Sequence, residues 1–244
     1  MRIKCTVSYD GSSYVGWQAQ AGLHSIQNEI EKALAIIHKK PVVIHASGRT
    51  DAGVHALGQV FHFDTELTIT NEKWKQAING LLPSDIWLLH AETVDGEFHA
   101  RHSCIKKTYE YRFSCGEYEV HRANYCTQLR YPVDIERIKD ACTVFLGTHD
   151  FGSFNTNGIE ERPYQIRTIE QIELMQEGHE YVLRFTGTGF LRYMVRMLVG
   201  SLLEVGRGRL EKETLQLWLE HPNKESCRHN APAQGLYLKE VFYS

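Results

Sequence analysis

No run of about 18 apolar residues occurs in the 244-residue chain, so no helix of it is expected to cross a bilayer. No apolar leader core stands near the N-terminus, where Arg2 to Tyr9 reads as a strand instead. There is no excess of one charge either. Lys and Arg number 27 and Asp and Glu 30, a net charge of −3, which excludes a globally basic nucleic-acid wrapper and leaves room for a local basic cleft. The six cysteines form no C-x-x-C pair and no regular framework, so reduced thiols are expected rather than a disulfide scaffold. A cytoplasmic protein is the expectation. What is present is a globular composition, 42% hydrophobic and 11% aromatic, in a chain long enough to bury a core.

Periodicity divides the chain into two similar halves. Ile3, Cys5, Val7 and Tyr9 alternate as one face of a strand. Ser25 is placed to cap a helix carrying Ile26, Ile30, Ala33, Leu34 and Ile37 to about His38. Strands are predicted over 42–46, 59–64 and 85–94, with a helix capped by Asn71 between the last two. In the second half, strands are predicted over 108–114, 166–175, 181–186 and 236–243. Helices are expected from a cap at Asp134 to Gly147, over 190–205 and over 211–219. Strand–helix–strand–strand order twice over implies an α+β protein of two halves, 1–100 and 101–244, each a sheet with helices on one face, with a cleft between them.

The strongest local signal is Gly48-Arg49-Thr50-Asp51-Ala52-Gly53-Val54-His55-Ala56. Two glycines bracket an Arg and an Asp between strands, where a plain hairpin needs only Asn-Gly or Asp-Gly. Two readings fit it: a carboxylate aimed into a cleft beside a cation, or a tight turn whose Asp caps a neighbouring amide. Phe98-His99-Ala100-Arg101 and Lys106-Lys107-Thr108-Tyr109-Glu110-Tyr111-Arg112 set cations beside exposed-looking rings, a mixture suited to phosphate contacts and base stacking. Arg192 and Arg196 lie four apart on an otherwise apolar segment, and a partly buried Arg196 needs a carboxylate or phosphate partner. Thr186-Gly187-Thr188-Gly189 is half of a dinucleotide fingerprint, with Arg192 at the third glycine position. His99, His102 and Cys104 share no spacing with another ligand pair, so no metal is expected.

In these motifs the chain resembles the TruA-type tRNA pseudouridine synthases. The resemblance runs from Ser8-Tyr9-Asp10-Gly11 to Gly235-Leu236-Tyr237-Leu238. It takes in GRTDAGVHA around Asp51, FHAR at Phe98 to Arg101, KKTYEYRF around Tyr109, GTHDF, RTI at Arg167, GFLRYMVR around Arg196 and APAQGLYL, in the family's order. It implies the pseudouridine synthase fold, two pseudo-symmetric halves joined in one mixed sheet with a central cleft. It also implies isomerisation of uridine to pseudouridine in the anticodon stem-loop of tRNA, at positions 38, 39 and 40, without a cofactor. By the same resemblance Asp51 is the nucleophile, Arg196 its partner and Tyr109 the ring that stacks on the target uracil. Arg49 fills the place of the extruded base, and Leu236 or Leu238 walls the pocket. The partners implied are tRNA and a second copy of the chain, with no membrane.

The chain departs from the family pattern at Arg192 and Tyr193, which replace small, polar or histidine residues. It departs again at Cys227 to Pro232 and in a short stretch over 115–124. Three other readings stand beside the resemblance: a diverged member acting on another RNA, a non-catalytic RNA-binding module, and a nicotinamide-dependent reductase using Thr186 to Gly189.

Overall fold

The computed structural model describes residues 1–157 and 164–244. In chain order its regular elements are β1 (Arg2–Tyr9), α1 (Ile26–His38), β2 (His45–Ala46), β3 (His55–Asp64), α2 (Asn71–Asn79) and β4 (Ile86–Val94). There follow β5 (Cys104–Ser114), β6 (Thr127–Gln128), α3 (Ile135–Cys142), β7 (Gly147–Asp150), β8 (Ile166–Glu177) and β9 (Glu180–Gly187). Last come α4 (Met194–Gly206), α5 (Lys212–Glu220) and β10 (Leu236–Tyr243). The protein is α+β, as the periodicity implied. It forms two compact units, one of Met1–Ile105 with Tyr237–Ser244, the other of Lys106–Leu236.

In the first unit the strands run in the order β4-β1-β3-β10, with β2 beside β3. β1 is antiparallel to both neighbours, Cys5 facing Phe61 on one side and Ala91 on the other. Its strict alternation puts Ile3, Cys5, Val7 and Tyr9 in the core, which is why its bounds are legible in the sequence. α1 is capped by Ser25, whose hydroxyl accepts the Asn28 N–H at 3.3 Å. The two helices reach the sheet through one aromatic stack: His38 of α1 lies 5.5 Å from Trp74 of α2, and Trp74 meets the edge of Phe63 on β3 at 5.3 Å. β10 pairs with β3 in parallel, Tyr237 opposite His55 and Leu238 opposite Ala56.

The second unit is an antiparallel run, β5-β9-β8-β7, with β6 parallel to β5. Every residue of α4 except Arg196 and Glu204 is buried, the signature of a core helix. α3 crosses it closely enough that a Cβ on Gly206 would lie 2.8 Å from Ile138. On β5 the register places Tyr109 opposite Phe185 and Glu110 opposite Arg184. The Glu110 carboxylate is buried and accepts Arg184 Nη2 at 2.8 Å, while Arg112 approaches it at 3.4 Å, so this sheet face closes on a charge network rather than on apolar side chains.

Several boundaries differ from the sequence expectation, each for a tertiary reason. The third strand starts at His55, not Gln59, because β10 extends its pairing. Only His45–Ala46 of the second strand finds a partner. α2 is capped by Thr70 rather than Asn71, and the exposed Leu81 lies beyond it. α3 stops at Cys142 and passes into a tight turn over Thr143–Phe145. α4 starts four residues later than its apolar run. β6 and β7 are too short to leave a periodic signal.

Candidate active site

The Gly48–Ala56 loop is held from beneath. Its entrance is set by Gln59, fully buried, which accepts the Ser47 hydroxyl at 2.6 Å and donates to the Gly48 carbonyl at 2.9 Å. Thr50 is hydrogen-bonded to the Tyr9 hydroxyl at 2.8 Å, and its carbonyl accepts the Trp17 N–H at 3.0 Å. Asp51 forms an isolated antiparallel bridge with Gly16, and its carbonyl accepts the Val54 N–H at 3.2 Å across a turn closed by Gly53 at φ +75°. At the exit, the Gly11 N–H donates to His55 Nδ1 at 3.1 Å, and the His55 ring stacks on Tyr237 at 4.7 Å.

Two glycines outside the loop make this fit possible. A Cβ on Gly11 would lie 2.0 Å from the Val54 carbonyl oxygen, and one on Gly16, at φ +110°, would lie 2.6 Å from that of Thr50. The backbone of Asp51 is thus fixed by contacts of its own; its side chain is half-buried, while Arg49 projects as an exposed cation two residues earlier.

In the second unit Tyr109 is 9% exposed on β5, its ring meeting the edge of Phe190 at 5.2 Å. Phe190 leads into the segment before α4, whose first turn carries Arg196. That guanidinium is half-buried, as its neighbours implied. Its Nε donates to the Ala231 carbonyl at 2.7 Å, and the Ala231 N–H donates back to the Arg196 carbonyl at 2.9 Å. Gly235, just before Leu236, is packed so tightly that a Cβ would lie 2.7 Å from the Arg112 carbonyl oxygen. Leu236 itself is 6% exposed at the start of β10.

The Phe98–Arg101 turn is pinned by three side chains of the first unit. Arg2 donates to the Phe98 carbonyl at 2.7 Å, Tyr243 to the Ala100 carbonyl at 2.7 Å, and the Ala100 N–H donates to His62 Nδ1 at 3.1 Å. Arg101 is left exposed on a stiff turn. The accepting nitrogen requires a neutral His62. Burial, with Arg2 and the rings of His99 and His45 around it and Asp64 opposing, pushes its pKa down to about 4. The neutral ring therefore contributes stability above the ordinary histidine value of about 6.5, and that contribution is lost as pH falls toward 4. The unfolding free energy is expected to decline over this window, His62 adding up to about 1.4 kcal/mol per pH unit. Urea melts of wild type and His62→Asn, whose amide oxygen can still accept, check this: parallel pH profiles would remove His62 from the account.

Other sequence expectations fare unevenly. The rings of the Lys106–Arg112 segment are not exposed: Tyr111 is fully buried and Tyr109 nearly so, because the alternation of β5 turns its aromatic face inward. Among the basic candidates, Arg112 is engaged by Glu177 at 3.0 Å, and Arg207 by Glu204 at 2.9 Å and the Tyr131 ring at 3.7 Å. Arg49, Arg101, Arg192 and Arg209 are exposed. Thr186 to Gly189 opens no helix directly, and Gly187 serves the approach of β8, since a Cβ there would lie 2.5 Å from the Thr168 carbonyl oxygen. All six cysteines are thiols, four of them buried. None of the described helices is long and apolar enough to cross a membrane.

Sequence reading gave no role to Gly16, His55, Gln59, Phe190 or Tyr193. Only Gly16, between Val15 and Trp17, carried a local signal, a lone glycine among apolar residues.

A family model described as tRNA pseudouridine synthase matches residues 6–103 and 141–244. The chain is 46% identical over 243 residues to the tRNA pseudouridine synthase A of Anoxybacillus flavithermus, covering 99% of this chain and 98% of that protein. Against the tRNA pseudouridine synthase A 1 of Bacillus cereus (strain ATCC 14579) it is 45% identical over 245 residues, covering 100% and 99%. Against the tRNA pseudouridine synthase A of Bacillus subtilis it is 42% identical over 248 residues, again covering 100% and 99%. Tyr109 lies between the two segments of the family model and within the reach of these full-length relatives. With the Asp51 loop and α4 both inside the matched segments and the likeness running end to end, the chain belongs to the tRNA pseudouridine synthase family of isomerases.

Proposed function

We propose that the protein converts uridine to pseudouridine in the anticodon stem-loop of tRNA, at positions 38, 39 and 40, with Asp51 as the nucleophile. The observation that supports this reading best is the braced loop. It holds the Asp51 backbone through Gly16 and Val54, so that the carboxylate is carried on a fixed stretch of chain. In the reaction the bond between C1′ and N1 breaks, the uracil turns, and a bond forms between C1′ and C5. The proton on C5 leaves to water, N1 ends with a proton, and nothing else is gained or lost, so no cofactor is needed.

Each residue then has a defined task. Asp51 must be ionised to attack, and a guanidinium partner is what keeps a carboxylate ionised away from water, the task assigned to Arg196. Tyr109 stacks on the uracil and assists removal of the C5 proton. Arg49 occupies the space left by the flipped nucleotide, whose extrusion costs a few kcal/mol of stacking. Leu236 closes the pocket. The division of labour places the carboxylate in residues 1–100 and its tyrosine and arginine partners in 101–244. The protein works in the cytoplasm as a homodimer, with exposed arginines such as Arg49 and Arg101 meeting phosphates in a salt-dependent way.

Tritium release from tRNA transcripts carrying 5-tritiated uridine tests the proposal, because C5 loses its hydrogen only as the new carbon–carbon bond forms. Release that disappears when uridines 38, 39 and 40 are replaced by cytidine is the expected result. Release persisting in that transcript would assign other positions. No release from tRNA or from total RNA, with binding retained, would leave a non-catalytic RNA-binding module.

A further inference from the structure

We infer that Tyr193 is a positioning residue that sets the direction of the Arg196 guanidinium. The inference rests on the role proposed for Arg196. Only two non-glycine residues among those described have a left-handed backbone, Lys39 and Tyr193. Lys39 follows the last turn of α1, where this conformation is ordinary. Tyr193 instead precedes the first turn of α4, where an N-cap normally has extended backbone and a side chain that accepts an N–H. Tyr193 has φ 62° and ψ 0° and makes no capping hydrogen bond. A bulky residue holds that conformation only where its surroundings impose it, and such positions concentrate at functional sites.

What the conformation achieves is visible in the ring. It lies 5.0 Å from the Arg196 guanidinium carbon and 5.3 Å from that of Arg192, within cation–π range of both. The two guanidiniums are not equivalent. Arg192 is exposed, whereas Arg196 is half-buried and has its Nε committed to the Ala231 carbonyl. A ring packed at this distance restricts rotation of the Arg196 guanidinium plane. An extended cap at 193 would send the ring elsewhere, so the left-handed backbone and the cation–π contact are one feature.

The test is a set of single and double variants read by kcat, KM and thermal melting. Tyr193→Phe keeps the ring and is expected to turn over within about twofold of wild type. Tyr193→Leu and Tyr193→Gly remove it and should each lower kcat about tenfold with KM within about twofold, the split expected when a transition-state group is misaligned. Tyr193→Gly should melt no lower than wild type, since glycine accepts the left-handed backbone without resistance. Lost turnover without lost stability is not what a merely structural tyrosine produces. In an Arg196→Met background, Tyr193→Leu should cause no further loss.

Wild-type kcat in Tyr193→Leu and Tyr193→Gly, alongside a large loss in Arg196→Met, would overturn the positioning role alone. An undiminished tenfold loss in the Arg196→Met background would overturn it too and place the ring directly on RNA. A wild-type rate in Arg196→Met would remove the role proposed for Arg196 and the inference with it.

Discussion

Asp51→Asn is expected to lower turnover by about 10³-fold or more while changing tRNA affinity by no more than a few-fold. The asymmetry follows from how the loop is built. The Asp51 backbone is held by the Gly16 bridge and by the Val54 N–H, and the flanking residues by Tyr9, Trp17 and Gln59. Those contacts are made by backbone and by neighbouring side chains, and asparagine is nearly isosteric with aspartate, so the loop should stay in place. What it removes is the anion, and no neutral side chain at that position can attack in its stead. Affinity should hold because phosphate contacts are made by cations, and deleting a negative charge near RNA does not weaken them. Single-turnover tritium release and filter binding on the same preparation decide the matter. Retention of more than a tenth of the wild-type rate would sink the nucleophile.

The second large effect is expected at a residue that carries no reactive group. Gly16→Ala should lower kcat by about 10²-fold and the unfolding free energy by about 1–3 kcal/mol. At φ +110° an alanine is already strained, and its Cβ would lie 2.6 Å from the Thr50 carbonyl oxygen and 3.1 Å from the Asp51 carbonyl carbon. Both neighbours are backbone and cannot rotate aside. The strand segment must shift, and the residue displaced is Asp51. The matched control is Gly96→Ala, where a Cβ meets open space within 4 Å and should leave rate and melting unchanged. Equal behaviour of the two variants would show that the close approach at Gly16 does not govern the loop.

Much of this was legible in the sequence where one element satisfies one local rule. β1 shows because strict alternation survives in a strand with a single buried face. α1 shows because Ser25, the apolar stripe to Leu34 and the stop at Pro41 all agree. The Asp51 loop shows because two glycines around an Arg and an Asp are chemically odd. The start of α4 was misread for the converse reason: Phe190, Leu191 and Tyr193 prolong the apolar pattern, while the left-handed turn at Tyr193 holds them out of the helix. The β5 rings were misjudged because adjacent lysines suggest exposure, and periodicity does not say which face a sheet will cover.

The sequence by itself determined the α+β class, most of the long elements and the candidate nucleophile, since each depends on neighbours in the chain and on residue chemistry. The tertiary structure alone decided that β10 lies parallel to β3 in the first unit, because strand pairing is chosen by registers far apart in the chain. It alone decided that His62, Arg2 and Tyr243 stiffen the Arg101 turn, and that Gly16 makes room for Asp51. Those relations join residues separated by tens to more than a hundred positions, held by close packing and by the need to satisfy buried polar groups, which no local pattern encodes.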